Sequence, residues 1–165
     1  MSRAYTTFAD LETPLDPVPL FLVEQTGKAT GDPRLWPEIE RQAAFVSFIR
    51  KTQPQLHAFS NANDGKRGPK AQRDAKRLGL TPGVFDVTVL WDYRQSTNPA
   101  NLVSVAYVEF KGFDKNGRPG KLSAAQIEWG NSAHSKGHNV ACFYSAKTAL
   151  EWLASLGAPI RGKLQ

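Results

Sequence analysis

Two runs rich in β-branched and aromatic residues, Val84 to Trp91 and Leu102 to Lys111, most constrain the fold. Such residues suit a pleated, half-buried surface, and both runs are bounded by Gly, Pro or Asn, so they predict two strands joined by a polar loop from Asp92 to Asn101. Before them, the chain from Pro37 repeats Ile39, Ala43, Val46 and Ile49 or Arg50 at three- and four-residue steps, which predicts a helix that Pro54 stops. Leu56 to Ser60 predicts a short strand, followed by a turn at Asn63-Asp64-Gly65 and a basic helix that closes through Leu78 to Gly83. After a loop from Asp114 to Gly120, Ser123 is expected to cap a helix through Ser135, Asn139 to Tyr144 to form a strand, and Ser145 to Leu156 a last helix ending at Gly157 and Pro159. Helix, strand, helix, strand, strand, helix, strand, helix is the order of an α/β sandwich with a mixed sheet. Residues 1–35, with Pro14, Pro17, Pro19 and Pro33 and weak periodicity, read as an extension rather than a core element.

A chain of 165 residues suits one domain, and a domain of roughly 150 residues buries about 70% of its unfolded surface, enough to stand without disulfide or metal staples. The single cysteine, Cys142, agrees with that and reads as a small buried hydrophobe. The apolar stretches fall far short of the roughly 18 residues of a membrane span, and no basic leader with a long apolar region is legible, so a cytoplasmic setting is expected. The charge is localised. Lys66, Arg67, Lys70, Arg73, Lys76 and Arg77 share one short window with only Asp74, so six cations against one anion leave +5 of the chain's formal +6 there. Such a patch is the electrostatic footprint of a protein that meets a polyanion, and the residues between its charges are too small for a membrane-surface helix.

Asp86 is out of place in an apolar strand. Burial of an unpaired charge is expensive, so a partner is expected. The next strand supplies Glu109-Phe110-Lys111, and its period of two sets Glu109 and Lys111 on one face and the Phe110 side chain on the other. If the strands are neighbours, Asp86 and Glu109 can share a hard divalent cation, with further oxygen from water and the Phe110 carbonyl. Such an ion polarises a phosphoryl oxygen and lowers the pKa of bound water, and Lys111 can orient that water or offset transition-state charge.

Pro82-Gly83-Val84-Phe85-Asp86, then Glu109-Phe110-Lys111, then Leu122-Ser123-Ala124-Ala125-Gln126 resemble the ordered motifs of the VRR-NUC domain, a branch of the PD-(D/E)XK nuclease superfamily. Glu38 and Gln42 resemble that family's first-helix Glu and the Gln four residues later, and Asn63-Asp64-Gly65-Lys66-Arg67 resembles its Asn-x-Gly-x-Arg turn. Phe85 departs from the pattern, which commonly has Pro before the catalytic Asp. The resemblance implies a restriction-endonuclease-like αβββαβ core over residues 36–157, with 158–165 as a tail. It also implies a Mg²⁺- or Mn²⁺-dependent phosphodiesterase acting on DNA. Asp86 and Glu109 would be metal ligands with the Phe110 carbonyl, Glu38 would approach the metal directly or through water, Lys111 would act at the water and scissile phosphate, and Gln126 would support from the following helix. Asn63, Lys66, Arg67, Lys70, Arg73, Lys76 and Arg77 would hold the DNA. Small standalone members are associated with dimers that cut branched DNA such as Holliday junctions, and a homodimer presents two sites to two symmetric strands.

Two other functions fit the same residues: a nucleic-acid-binding module without catalysis, and a nuclease that cuts or nicks ordinary duplex. The binder has no need of a carboxylate in an apolar strand. His134 and His138 lack further ligands at zinc spacing, His57 reads as a strand histidine near the turn, and Trp129 and Trp152 read as core rather than base-stacking residues.

Overall fold

The computed structural model describes residues 17–26, 36–61, 68–98 and 103–162. In chain order these form β1 (Leu22–Val23), α1 (Glu38–Thr52), β2 (Leu56–Ser60), α2 (Pro69–Arg77), β3 (Val87–Trp91), β4 (Val105–Phe110), α3 (Ala124–Ser135), β5 (Asn139–Phe143) and α4 (Ala146–Ser155), with a single 3₁₀ turn at Tyr93–Gln95. The class is α/β. The strands build one five-stranded mixed sheet in the order β1-β5-β4-β3-β2. The strands β2, β3 and β4 are antiparallel neighbours, whereas β5 lies parallel to both β4 and β1. Parallel neighbours need a crossover, and α3 supplies the one between β4 and β5.

Strand alternation divides the interior into two layers. Val87, Val89, Val108, Phe110, Ala141 and Phe143 face α1 and α4, where Phe45, Ile49, Leu150 and Leu153 meet them. Tyr107, Val140 and Cys142 face the opposite way, with Phe85, Phe21 and Trp129. The predicted core tryptophans fit this arrangement, since Trp129 packs at 5.1 Å from Phe85 and Trp152 at 5.5 Å from Phe143. Cys142 is buried, and burial raises its thiol well above the ordinary range, so it stays protonated.

Four expectations change. The buried face of α1 runs through Arg41, Phe45 and Ile49, while Ile39 and Ala43 are exposed. Arg41 tolerates full burial because its guanidinium donates to the carbonyls of Trp36 and Tyr144 and lies 5.4 Å over the Phe113 ring. The segment read as an extension contributes to the sheet, since Leu22 and Val23 pair with Ala141 and Cys142 and Phe21 is buried against Phe85. Two residues of strand carry too little pattern to announce this pairing. The expected strand from Val84 enters the ladder only at Val87, so Asp86 stands half-buried at its threshold. The Asp86 N–H donates to the Glu109 side chain, 3.2 Å. Finally, the residues read as a tail pack back, with Ala158 and Pro159 buried and Arg161 exchanging hydrogen bonds with Gln53.

Candidate metal centre

The strand β4 ends at the site. Glu109 is fully buried on it, and Lys111 directly follows, with its Nζ 2.6 Å from Glu109 Oε1. This is the same-face placement expected of Glu-x-Lys, and the Phe110 ring accordingly points into the other layer, 5.2 Å from Phe45. The Phe110 carbonyl sits in the chain between the two charged residues, at the strand end. Asp86 arrives from the start of β3, which pairs antiparallel with β4.

Two further groups come from helix N-termini, and two glycines admit them. Glu38 opens α1, and its carboxylate lies 3.4 Å from Lys111 Nζ. Gly112, next after Lys111, touches that helix start so closely that a Cβ there would fall 2.8 Å from the Glu38 nitrogen. Gln126 comes from the first turn of α3. Its Oε1 accepts from the Ser123 N–H and its own N–H donates to Ser123 Oγ, a capping box. With the amide oxygen so committed, Nε2 faces Glu109 Oε1 and donates to it. Gly83, with φ +80°, lies against this helix start, where a Cβ would fall 2.1 Å from the Ala125 carbonyl oxygen.

Side-chain oxygens of Glu38, Asp86 and Glu109 lie within 4.8 Å of one another, and among the described residues no other group of three His, Cys, Asp or Glu gathers in this way. Exposure rises across the cluster, from 0% at the Glu109 side chain through 9% at Lys111 to 43% at Glu38, so it opens on the Glu38 side. Burial, reinforced by the Asp86 charge, holds the Glu109 carboxyl up at about 8 although Lys111 pulls the other way. Burial disfavours the Lys111 charge most, but Glu109, Glu38 and Asp86 together outweigh it and the ammonium is held above its ordinary range. The three carboxyl groups form an all-oxygen set that could hold a metal ion.

The other singled-out residues lie apart from this cluster. Lys70, Arg73, Lys76 and Arg77 are exposed on α2, where Asp74 lies 3.8 Å from Arg77. Asn63, Lys66 and Arg67 fall outside the described residues. Gln42 donates to Ser60 Oγ at 3.2 Å, tying α1 to β2. His57, His134 and His138 are exposed, and His138 meets the edge of Tyr107. Two further residues, Arg41 and Gly112, fall outside the expected site. A glycine directly after Glu-x-Lys is a signal for close backbone approach, whereas nothing local marks Arg41, whose Tyr144 partner is distant in the chain. The sequence matches no family model and no curated protein, and the fold matches no solved structure.

Proposed function

We propose that this protein is a metal-dependent DNA phosphodiesterase with a restriction-endonuclease-like core, acting on branched DNA as a homodimer. The observation that carries the reading is the convergence of Glu38, Asp86 and Glu109 around Lys111, a charge arrangement with no evident value to the fold alone. Carboxylates so close to one another repel, and burying one of them, Glu109, for a structural role would be served better by apolar packing. The exposed cations of α2 add a surface suited to a phosphate backbone.

In this reading Asp86 and Glu109 hold Mg²⁺ or Mn²⁺, with Glu38 on the open side and the Phe110 carbonyl at the strand end. The ion supplies Lewis-acid polarisation of the phosphoryl group and a more acidic water. Lys111 places a fixed ammonium beside the cluster, where it offsets negative charge developing on the phosphate and orients the attacking water. Gln126 holds the Glu109 carboxylate in one orientation, because its own amide is fixed by the α3 cap.

Incubation of the wild type and Lys111→Ala with four-way junction, linear duplex and single-stranded DNA, in Mg²⁺, Mn²⁺ or chelator, tests this. Metal-dependent cutting by the wild type alone is expected. Equal products from both proteins would remove the site, and binding without cutting in any metal would make the protein a nucleic-acid-binding module.

A further inference from the structure

Between Lys111 and Gln126 the chain leaves the acidic cluster and returns to it, since both of these residues reach Glu109. In the excursion, Phe113 and Pro119 pair as an antiparallel bridge and the Gly120 N–H donates to the Gly112 carbonyl at 2.8 Å, so residues 112–120 form a hairpin. Its turn is fixed from within. The Asp114 N–H donates to the Arg118 carbonyl and the Gly117 N–H to the Asp114 carbonyl, while Asp114 Oδ1 accepts from the Asn116 and Arg118 N–H groups, both at 2.8 Å.

The base of the hairpin is anchored at the cluster. A Cβ on Gly120 would lie 3.6 Å from Lys111 Cδ, the Tyr144 hydroxyl donates to the Gly120 carbonyl at 2.6 Å, and the Arg41 guanidinium covers the Phe113 ring. Gly112, on the other strand, touches the Glu38 end of α1, which is the open side of the cluster. From that base the chain carries Lys115, Arg118 and Lys121, all exposed, and among the described residues none of the three forms an ion pair. The one acid among them, Asp114, has an oxygen committed to the turn. Lysine and arginine contacts to phosphates fix the position of a strand without reading its bases, and a loop already held in shape loses little freedom on binding. Lys115 is three residues from Gly112, a reach of roughly 10 Å, which along a DNA strand corresponds to about three nucleotides.

We infer that residues 112–121 form a clamp on the DNA backbone, gripping phosphates within about three nucleotides of the one at the acidic cluster. The inference rests on the proposed DNA phosphodiesterase function, and it adds the element that sets the strand against that site. The competing role for the three cations is to offset the charge of the cluster's carboxylates, and the test separates the two.

Binding to four-way junction and to linear duplex is measured in chelator by fluorescence anisotropy over a range of salt. The proteins are the full-length wild type, the triple variant Lys115→Gln, Arg118→Gln, Lys121→Gln, and the charge-keeping triple variant Lys115→Arg, Arg118→Lys, Lys121→Arg. Neutralisation should weaken binding about tenfold or more and flatten the salt slope by up to about 2.7, whereas the charge-keeping variant should bind as the wild type does. In DNA that the wild type cuts, an uncharged methylphosphonate within about three nucleotides of the cut should weaken the wild type and not the neutral variant. An unchanged slope, an equal loss in the charge-keeping variant, or tighter Mn²⁺ binding by the neutral variant with DNA affinity unaltered would overturn the clamp. If the wild type cuts DNA and the neutral variant binds it equally well, the clamp fails and the catalytic reading stands. Hairpin-dependent binding by a protein that cuts no DNA in Mg²⁺ or Mn²⁺ would uphold the contact and refute the catalytic reading.

Discussion

Replacing Gly83 by Ala should separate the geometry of the site from the stability of the fold. The new Cβ would lie 2.1 Å from the Ala125 carbonyl oxygen, 2.3 Å from its carbon and 2.7 Å from the Gln126 nitrogen. Ordinary contact begins near 3.4 Å, so the α3 start must retreat by about 1.3 Å, and all the obstructing atoms are backbone. Gln126 moves with them, taking its amide away from Glu109. A misplacement of about 1 Å at a reacting site is worth on the order of 100-fold in rate. The left-handed φ adds about 1–2 kcal/mol of strain for any residue with a Cβ, and overpacking adds about 1–3 kcal/mol. A total near 3 kcal/mol lowers Tm by about 6–12 °C in a chain of this length. Gly137→Ala is the control, since Gly137 has φ +82° with nothing within 4 Å, so that only the backbone strain is felt. Calorimetric melting and metal-dependent cleavage should show a large loss of both for Gly83→Ala and a small loss of Tm with full activity for Gly137→Ala. Indistinguishable variants would refute the claim that close backbone approach sets the position of Gln126.

The other predictions concern charge. Glu109 titrates at about 8 in the folded metal-free protein, above its unfolded value, so it contributes stability that is full below the ordinary carboxylate range and lost as pH rises through about 8. Thermal melts in chelator should therefore fall across that window, while Mn²⁺ affinity by calorimetry should climb because the ion displaces the Glu109 proton; a flat affinity would contradict the assignment. Arg41→Met orphans the carbonyls of Trp36 and Tyr144 and should cost about 2–4 kcal/mol, read as the loss of urea-unfolding free energy. Replacing Lys70, Arg73, Lys76 and Arg77 together by Ala should leave Tm within about 2 °C, because all four are exposed, yet flatten the dependence of DNA affinity on salt by up to about 0.9 for each phosphate no longer neutralised. An unchanged slope would take α2 out of the DNA path.

Much of the site was legible because it depends on short-range periodicity. The two-residue alternation of a strand puts Glu109 and Lys111 together wherever β4 lies, and Ser123 with Gln126 spells a capping box before any tertiary neighbour is known. Bringing in Asp86 required only that the two strands be neighbours, and the antiparallel pairing of β3 with β4 meets that condition. The burial of Arg41 was illegible because a guanidinium is accepted in a core only if carbonyls converge on it, and one of its two, that of Tyr144, is 103 residues away in the chain. The edge pairing of β1 was illegible for the same reason. A two-residue strand is stabilised by its neighbour β5, not by its own composition.

By itself, then, the sequence determined the order of the four helices and the four longer strands, which residues share a strand face and where the positive charge is concentrated, since all three follow from local patterns of side chains. Only the tertiary structure decided that Glu38 and Gln126 reach the Glu109 carboxylate region from two different helices and that Asp86 stands at the threshold of its strand. Those outcomes depend on how closely backbones approach one another at Gly83 and Gly112. Packing settles such distances, and local periodicity carries no information about them.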